Sequence, residues 1–137
     1  MKKMTHVSGF KGVYPCDLLP TEARGLAGFI VNTDPHYMEG AHWVAVLILQ
    51  DGKGEYFDSF GRPPQIEIDR FLMRNCPKGY SIVTVPLQSR SQDSTVCGNY
   101  TLLYLAMRLK GYSTHSFLSL FTRHNTQIND ALIHIFT

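Results

Sequence analysis

The chain has 137 residues, with 44% apolar side chains and 18% charged ones. That length suits one domain, read as residues 1–137, with enough material for one buried core, and the composition excludes a disordered tail. Thirteen Lys and Arg against eleven Asp and Glu give a formal charge of +2, which excludes a polybasic nucleic-acid arm. Three cysteines, Cys16, Cys76 and Cys97, cannot all pair within one chain, and their spacing is not that of a zinc knuckle. Reduced thiols in a nuclear or cytoplasmic setting are expected. The N-terminal MKKMTHVSGF lacks the apolar stretch of a signal peptide, so a protein that is not secreted is expected. The longest apolar run, Trp43 to Leu49, is too short to span a bilayer, so no membrane partner is expected.

Taken in chain order, residues 9–20 read as an irregular segment broken by glycine and proline. Thr21 begins a short helix through Ala27, with Glu22 in its first turn. Residues 28–32 (GFIVN) form a short strand, and 33–40 a loop. Residues 43–49 (WVAVLIL) are apolar on both faces, as a central strand requires. Asp51-Gly52 marks a turn, and 55–58 (EYFD) return as the hairpin partner. A loop at 59–64 precedes a helix over 65–75, whose inner face carries Ile68, Phe71 and Leu72. Residues 81–87 form a strand that Pro86 confines to an edge or an end. After a polar stretch at 88–95, residues 96–110 form the clearest helix, stopped by Gly111. Two short helices, 116–121 and 127–136, complete the chain. The order implies an α+β fold with a small, mostly antiparallel sheet packed on a buried helix.

Cys97 falls at the start of that helix. Free backbone N–H groups there favour a thiolate, and Gly98 beside it lets a substrate backbone approach. The competing reading is a small buried hydrophobe. His42 precedes the central strand and Asp58 ends its partner, so the hairpin brings them to one end of the pair. A general base and its orienting carboxylate need that proximity. Taken singly, a satisfied histidine at a strand end and an acidic turn residue account for the same two positions.

AHWVAV at 41–46, YFDSFG at 56–61 and STVCGNY at 94–100 resemble the adenain-type viral cysteine proteases, which are related to the ubiquitin-like-protein proteases. FIVNT at 29–33 is similar to the same family. GVYPCDLLP at 12–20 is similar to the N-terminal segment of proteases from adenovirus-like mobile elements. The resemblance covers nearly the whole chain in order. It implies Cys97 as nucleophile, His42 as general base and Asp58 as the third member. Adenovirus members tend to carry Glu there, whereas the ubiquitin-like-protein branch carries Asp. Trp43 resembles the tryptophan beside the family's histidine, either packing in the core or touching substrate.

The family's oxyanion donor is a glutamine six or seven residues before the cysteine. Those positions here are Ser91 and Arg90, so the donor is Gln92, on a shortened loop, or Gln88, on a longer one. The resemblance implies an adenain-like, papain-like fold and a thiol endopeptidase. It would cleave viral capsid and core precursor proteins after small, Gly-containing motifs during virion maturation. The alternatives are a deconjugase of ubiquitin or a ubiquitin-like modifier, and a non-catalytic capsid-associated binding module. The expected place of action is the virion and the infected-cell interior. The expected form is a monomer without metal or other cofactor, and stimulation by DNA or a viral peptide is open.

Overall fold

The computed structural model describes residues 6–37, 42–90 and 96–137. Its five strands are β1 (Phe10–Pro15), β2 (Ala27–Asn32), β3 (Trp43–Ile48), β4 (Gly54–Phe57) and β5 (Tyr80–Val83). They lie side by side in chain order. The helices are α1 (Ile66–Asn75), α2 (Cys97–Leu109), α3 (Thr114–Leu118) and α4 (Thr126–Phe136).

The apolar run at 43–49 is buried on both faces because helices cover both. Alternate side chains of β3 point to opposite sides of the sheet. Ala45 and Leu47 join Ile30, Phe57 and Val83 beneath α2, α3 and α4. Val44, Val46 and Ile48 join Phe29, Val31 and Tyr56 beneath Ile68, Phe71 and Leu72 of α1. A sheet between two helical layers leaves its middle strands dry, hence the continuous apolar sequence.

The sheet is mixed rather than mostly antiparallel. β2–β3 and β3–β4 are antiparallel, while β1–β2 and β4–β5 are parallel. The parallel β4–β5 pair follows from α1, which acts as the crossover that parallel neighbours require. β1 lies in the segment expected to be irregular; its register shifts between Phe10 and Val13, around Gly12. The expected helix at 21–27 does not form. Residues 21–26 are irregular and Ala27 is a fully buried β2 residue. Two bonds to α1 take the place of helical ones: Ala23 N donates to Asn75 Oδ1 at 3.0 Å and Arg74 Nε to Thr21 O at 2.9 Å.

The strand expected at 81–87 stops at Val83. Beyond it, the N–H groups of Leu87 and Gln88 bond Ser59 O at 2.8 and 3.0 Å instead of extending the ladder. The helix expected at 116–121 starts earlier, at Thr114, where Ser113 Oγ accepts from Ser116 N as a side-chain cap. α2 packs close to β2 because Gly28 leaves room: a Cβ there would meet Leu109 Cδ1 at 3.0 Å and Leu105 Cδ2 at 3.1 Å. Among the described residues no helix is long and apolar enough to cross a membrane.

Candidate active site

The β3–β4 hairpin turns at Asp51-Gly52, where Gly52 takes a positive φ of 89°. The register pairs Ala45 with Phe57, so His42 and Asp58 lie just past the ladder at its other end. There His42 Nε2–H donates to Asp58 Oδ1 at 2.7 Å, and both residues are buried. Nδ1 is then the ring nitrogen left for Cys97, whose side chain hydrogen-bonds the imidazole.

The helix brings the sulfur to this point. Cys97 is the first residue of α2, and its N-cap, Val96, has no side-chain oxygen with which to cap the first N–H groups of the helix. One turn on, the buried Thr101 hydroxyl lies within hydrogen-bonding distance of two carbonyls, Cys97 O at 2.8 Å and Trp43 O at 3.2 Å. That staple ties the start of α2 to the start of β3 and so fixes Cys97 beside His42. A threonine four residues after the cysteine on a buried helix was the available signal for it.

The charges settle accordingly. Burial resists ionisation of Cys97. The hydrogen bond and charge of His42, with backbone hydrogen bonds from Trp43 and Gly98, outweigh it and hold the thiol below its ordinary value. Burial likewise opposes the imidazolium, yet hydrogen bonds and charges from Asp58 and Cys97 lift His42 from 6.5 to about 9. Burial pushes Asp58 up, but His42, the Phe60 N–H and Arg62 hold it below the usual carboxylate range. These shifts all favour a thiolate–imidazolium pair, backed by an ionised carboxylate, over a neutral thiol beside a neutral imidazole. Cys16 and Cys76 are buried without such partners, and burial raises both thiols.

No protein-family model matches the chain. It is 29% identical over 130 residues to a SUMO-1 cysteine protease of African swine fever virus, covering 86% of this chain and 44% of that protein. The protein of another isolate of that virus is 33% identical over 104 residues, covering 67% of this chain and 37% of that protein. A crystal structure of the African swine fever virus protease superposes with a TM-score of 0.59 at 29% identity, over 82% of this chain and 44% of that one.

The chain is similar to viral cysteine proteases. That is the class the sequence resemblance implied, though the likeness is not to the adenovirus type in particular. The two share the α+β fold described above. The chain spans less than half the length of these curated relatives.

The remaining sequence candidates divide. Trp43 is half-buried and packs against the core beneath α2. Its Cδ1 stands 3.8 Å from where a Cβ on Gly98, next to Cys97, would be, so indole and glycine lie together beside the start of α2. Trp43 also lines a cleft of about 140 Å³ with Asn32, Asp34 and His36. Gln92 lies outside the described residues. Gln88 is buried and accepts from Ser59 Oγ at 2.5 Å through its Oε1. Sequence reasoning passed over Phe60, whose ring stacks on the His42 imidazole with centroids 5.0 Å apart and planes at 26°. It also passed over Arg62, whose Nε–H donates to Asp58 Oδ2 at 3.3 Å. Their place two and four residues after Asp58 was the signal.

Proposed function

We propose that the chain is a cysteine peptidase in which Cys97 is the nucleophile, His42 the general base and acid, and Asp58 the group that orients and charges the imidazole. The observation that carries this reading is the single hydrogen-bonded line from Asp58 through His42 to a thiol of lowered pKa at a helix start. The Cys97 thiolate adds to the scissile carbonyl, and its electron pair forms the C–S bond while the carbonyl oxygen takes the negative charge. Collapse of that intermediate breaks the C–N bond, and the His42 imidazolium gives its proton to the leaving amine. Neutral His42 then takes a proton from water. The resulting hydroxide attacks the thioester, and the acid product leaves with Cys97 restored to the thiolate. The backbone N–H of Cys97 and the side chain of Gln92, or of Gln88, stabilise the oxyanion.

The substrates in this reading are viral capsid and core precursor proteins cut after Gly-containing motifs within the infected cell or virion, by a monomer that needs no metal. The approach to Cys97 between Trp43 and Gly98 favours residues without bulky side chains. A second reading, deconjugation of a ubiquitin-like modifier, uses the same chemistry. It is favoured by the similarity to the African swine fever virus SUMO-1 cysteine proteases. One experiment separates the two. The purified protein is incubated in parallel with precursor proteins, with Gly-Gly fluorogenic peptides, and with modifiers bearing a C-terminal electrophile. Precursor cleavage with product N-termini mapped after Gly supports the first reading. Capture of modifier on Cys97 without precursor cleavage supports the second. Inertness toward all three, with Cys97 unreactive to alkylation, returns the chain to a binding module.

A further inference from the structure

We propose that Phe60 is a positioning residue that holds the His42 ring in its working orientation, and that Arg62, lying over the phenyl ring, clamps Phe60 in place. The inference rests on the reading of Cys97 and His42 as nucleophile and base. The Asp58 bond at 2.7 Å fixes one atom of the imidazole. It leaves the ring able to rock about χ2, a broad torsion in histidine. The Phe60 ring, 5.0 Å away and tilted by 26°, covers one imidazole face and removes that freedom. Its π-face is also electrostatically suited to an imidazolium rather than to neutral imidazole.

Phe60 is itself held from three directions. Its backbone N–H donates to Asp58 Oδ1 at 2.9 Å, the oxygen that His42 uses. A tight turn closes beneath it, with Gly61 N donating to Asp58 O at 2.7 Å. Gly61 has φ +73°, and a Cβ there would meet Thr84 O at 2.7 Å, so this turn requires glycine. The Arg62 guanidinium lies over the Phe60 ring, 4.8 Å from its centroid, while its Nε–H reaches Asp58 Oδ2. The run Asp58-Ser59-Phe60-Gly61-Arg62 therefore supplies the carboxylate, the ring and the cation as one folded unit. Phe60 is half-exposed and belongs to neither core cluster of the described residues, so its packing partner is the imidazole and not the core. Among the described residues, the charged groups acting on His42 are Asp58 and Cys97, and those acting on Asp58 are His42 and Arg62.

The test follows alkylation of Cys97 by iodoacetamide against pH, read by peptide mass spectrometry on the whole chain. The variants are Phe60→Leu, Phe60→Tyr and Arg62→Met. Phe60→Leu is expected to slow alkylation about 3–10-fold near pH 6, where the thiolate depends on a well-placed imidazolium. It should lower kcat on a Gly-Gly fluorogenic peptide by a similar factor with KM within about twofold. Phe60→Tyr keeps the stacked ring and should restore both to within about twofold. Arg62→Met, at an exposed side chain, should fold and give a smaller loss of about two- to threefold. Wild-type alkylation in Phe60→Leu, or a Tyr variant as impaired as the Leu variant, overturns the positioning role. If Phe60→Leu does not fold, Arg62→Met decides alone, and a wild-type profile there overturns the clamp. A wild-type Cys97 no more reactive near pH 6 than free cysteine overturns the nucleophile assignment and the role built on it. A reactive wild type with unaffected variants removes the positioning role alone.

Discussion

Asp58→Asn separates the orienting role proposed for Asp58 from its charge. In many triads an amide at this place flips, offers its NH2 to the ring and traps the wrong tautomer, with losses near 10⁴. Here the flip is opposed. Asp58 Oδ1 takes the Phe60 N–H at 2.9 Å as well as the His42 Nε2–H at 2.7 Å. An amide keeps both bonds only with its oxygen in the same place. Its nitrogen then faces Arg62, and that exposed side chain can swing into solvent. What is lost is charge: a hydrogen bond to a charged group contributes about 1.5–3 kcal/mol and a neutral one about 0.5–1.5. The difference, a little over 1 kcal/mol, amounts to about one pKa unit and about tenfold in rate. The alkaline limb of kcat/KM, set by His42 near 9 in the wild type, should move down by about one unit, and activity near pH 7 should fall about tenfold. Steady-state kinetics on a Gly-Gly peptide across pH 5–10 reads both quantities. A loss above about 10³ with an unmoved alkaline limb would refute the reasoning, because it would mean that the amide had flipped.

Cys97→Ala and His42→Ala should each abolish turnover while leaving the circular dichroism spectrum intact; near-wild-type hydrolysis by either removes the mechanism. Gln92→Ala should lower kcat about 10²–10³ with little change in KM, whereas Gln88→Ala should be mild in kcat. Because Gln88→Ala leaves the buried Ser59 hydroxyl without its 2.5 Å acceptor, it should destabilise the fold by about 1–3 kcal/mol in urea melts. A large kcat loss at Gln88 with a normal Gln92 variant would exchange the two roles. Gly54→Ala should lower the melting temperature with little effect on the chemistry, since its Cβ would come within 2.5 Å of Cys76 Sγ and 3.2 Å of Leu47 O. Stability should also follow pH. The His42 pKa is raised from 6.5 to about 9, so its contribution is complete below about 6.5 and is lost as pH rises through 9. The Asp58 pKa is lowered, so its contribution is present above 3.8 and is lost as pH falls through the folded value. Thermal melts of the wild type and Asp58→Asn should approach each other as pH falls toward 3, and their difference should narrow above about pH 9, where the His42 charge is lost while the Phe60 N–H and Arg62 contacts to Asp58 remain.

What the sequence disclosed and what it hid divide along a physical line. Periodicity and turn chemistry are local, and they located β3, β4, α1 and α2 to within a residue or two. They also put His42 and Asp58 at one end of a hairpin, because an Asp-Gly turn fixes register by counting. The failures involve partners distant in the chain. β1 was hidden because Gly12 and Pro15 read as breakers, yet an edge strand tolerates both once β2 supplies a parallel neighbour. Thr21 looked like a helix cap, but the segment it opens is bonded instead to the end of α1, more than fifty residues on. Parallel pairing of β4 with β5 was implicit in the helix between them and was missed because the strands were read singly.

The same division runs through the site. The three residues of the hydrogen-bonded line stood out because reactive side chains are conspicuous by type. The groups that hold them do not announce themselves. Thr101 matters because it reaches a carbonyl on another element, and Phe60 because a turn folds it back over a ring eighteen residues upstream in the sequence. Ser59 holds the 87–88 segment through its carbonyl and Gln88 through its hydroxyl, so the hairpin that orients the imidazole also anchors the chain leading toward Cys97. One short stretch, Asp58 to Arg62, thus connects the carboxylate, the ring-covering phenyl and the chain that leads to Cys97. Substitutions within it should therefore be non-additive, since each removes a support on which the others depend.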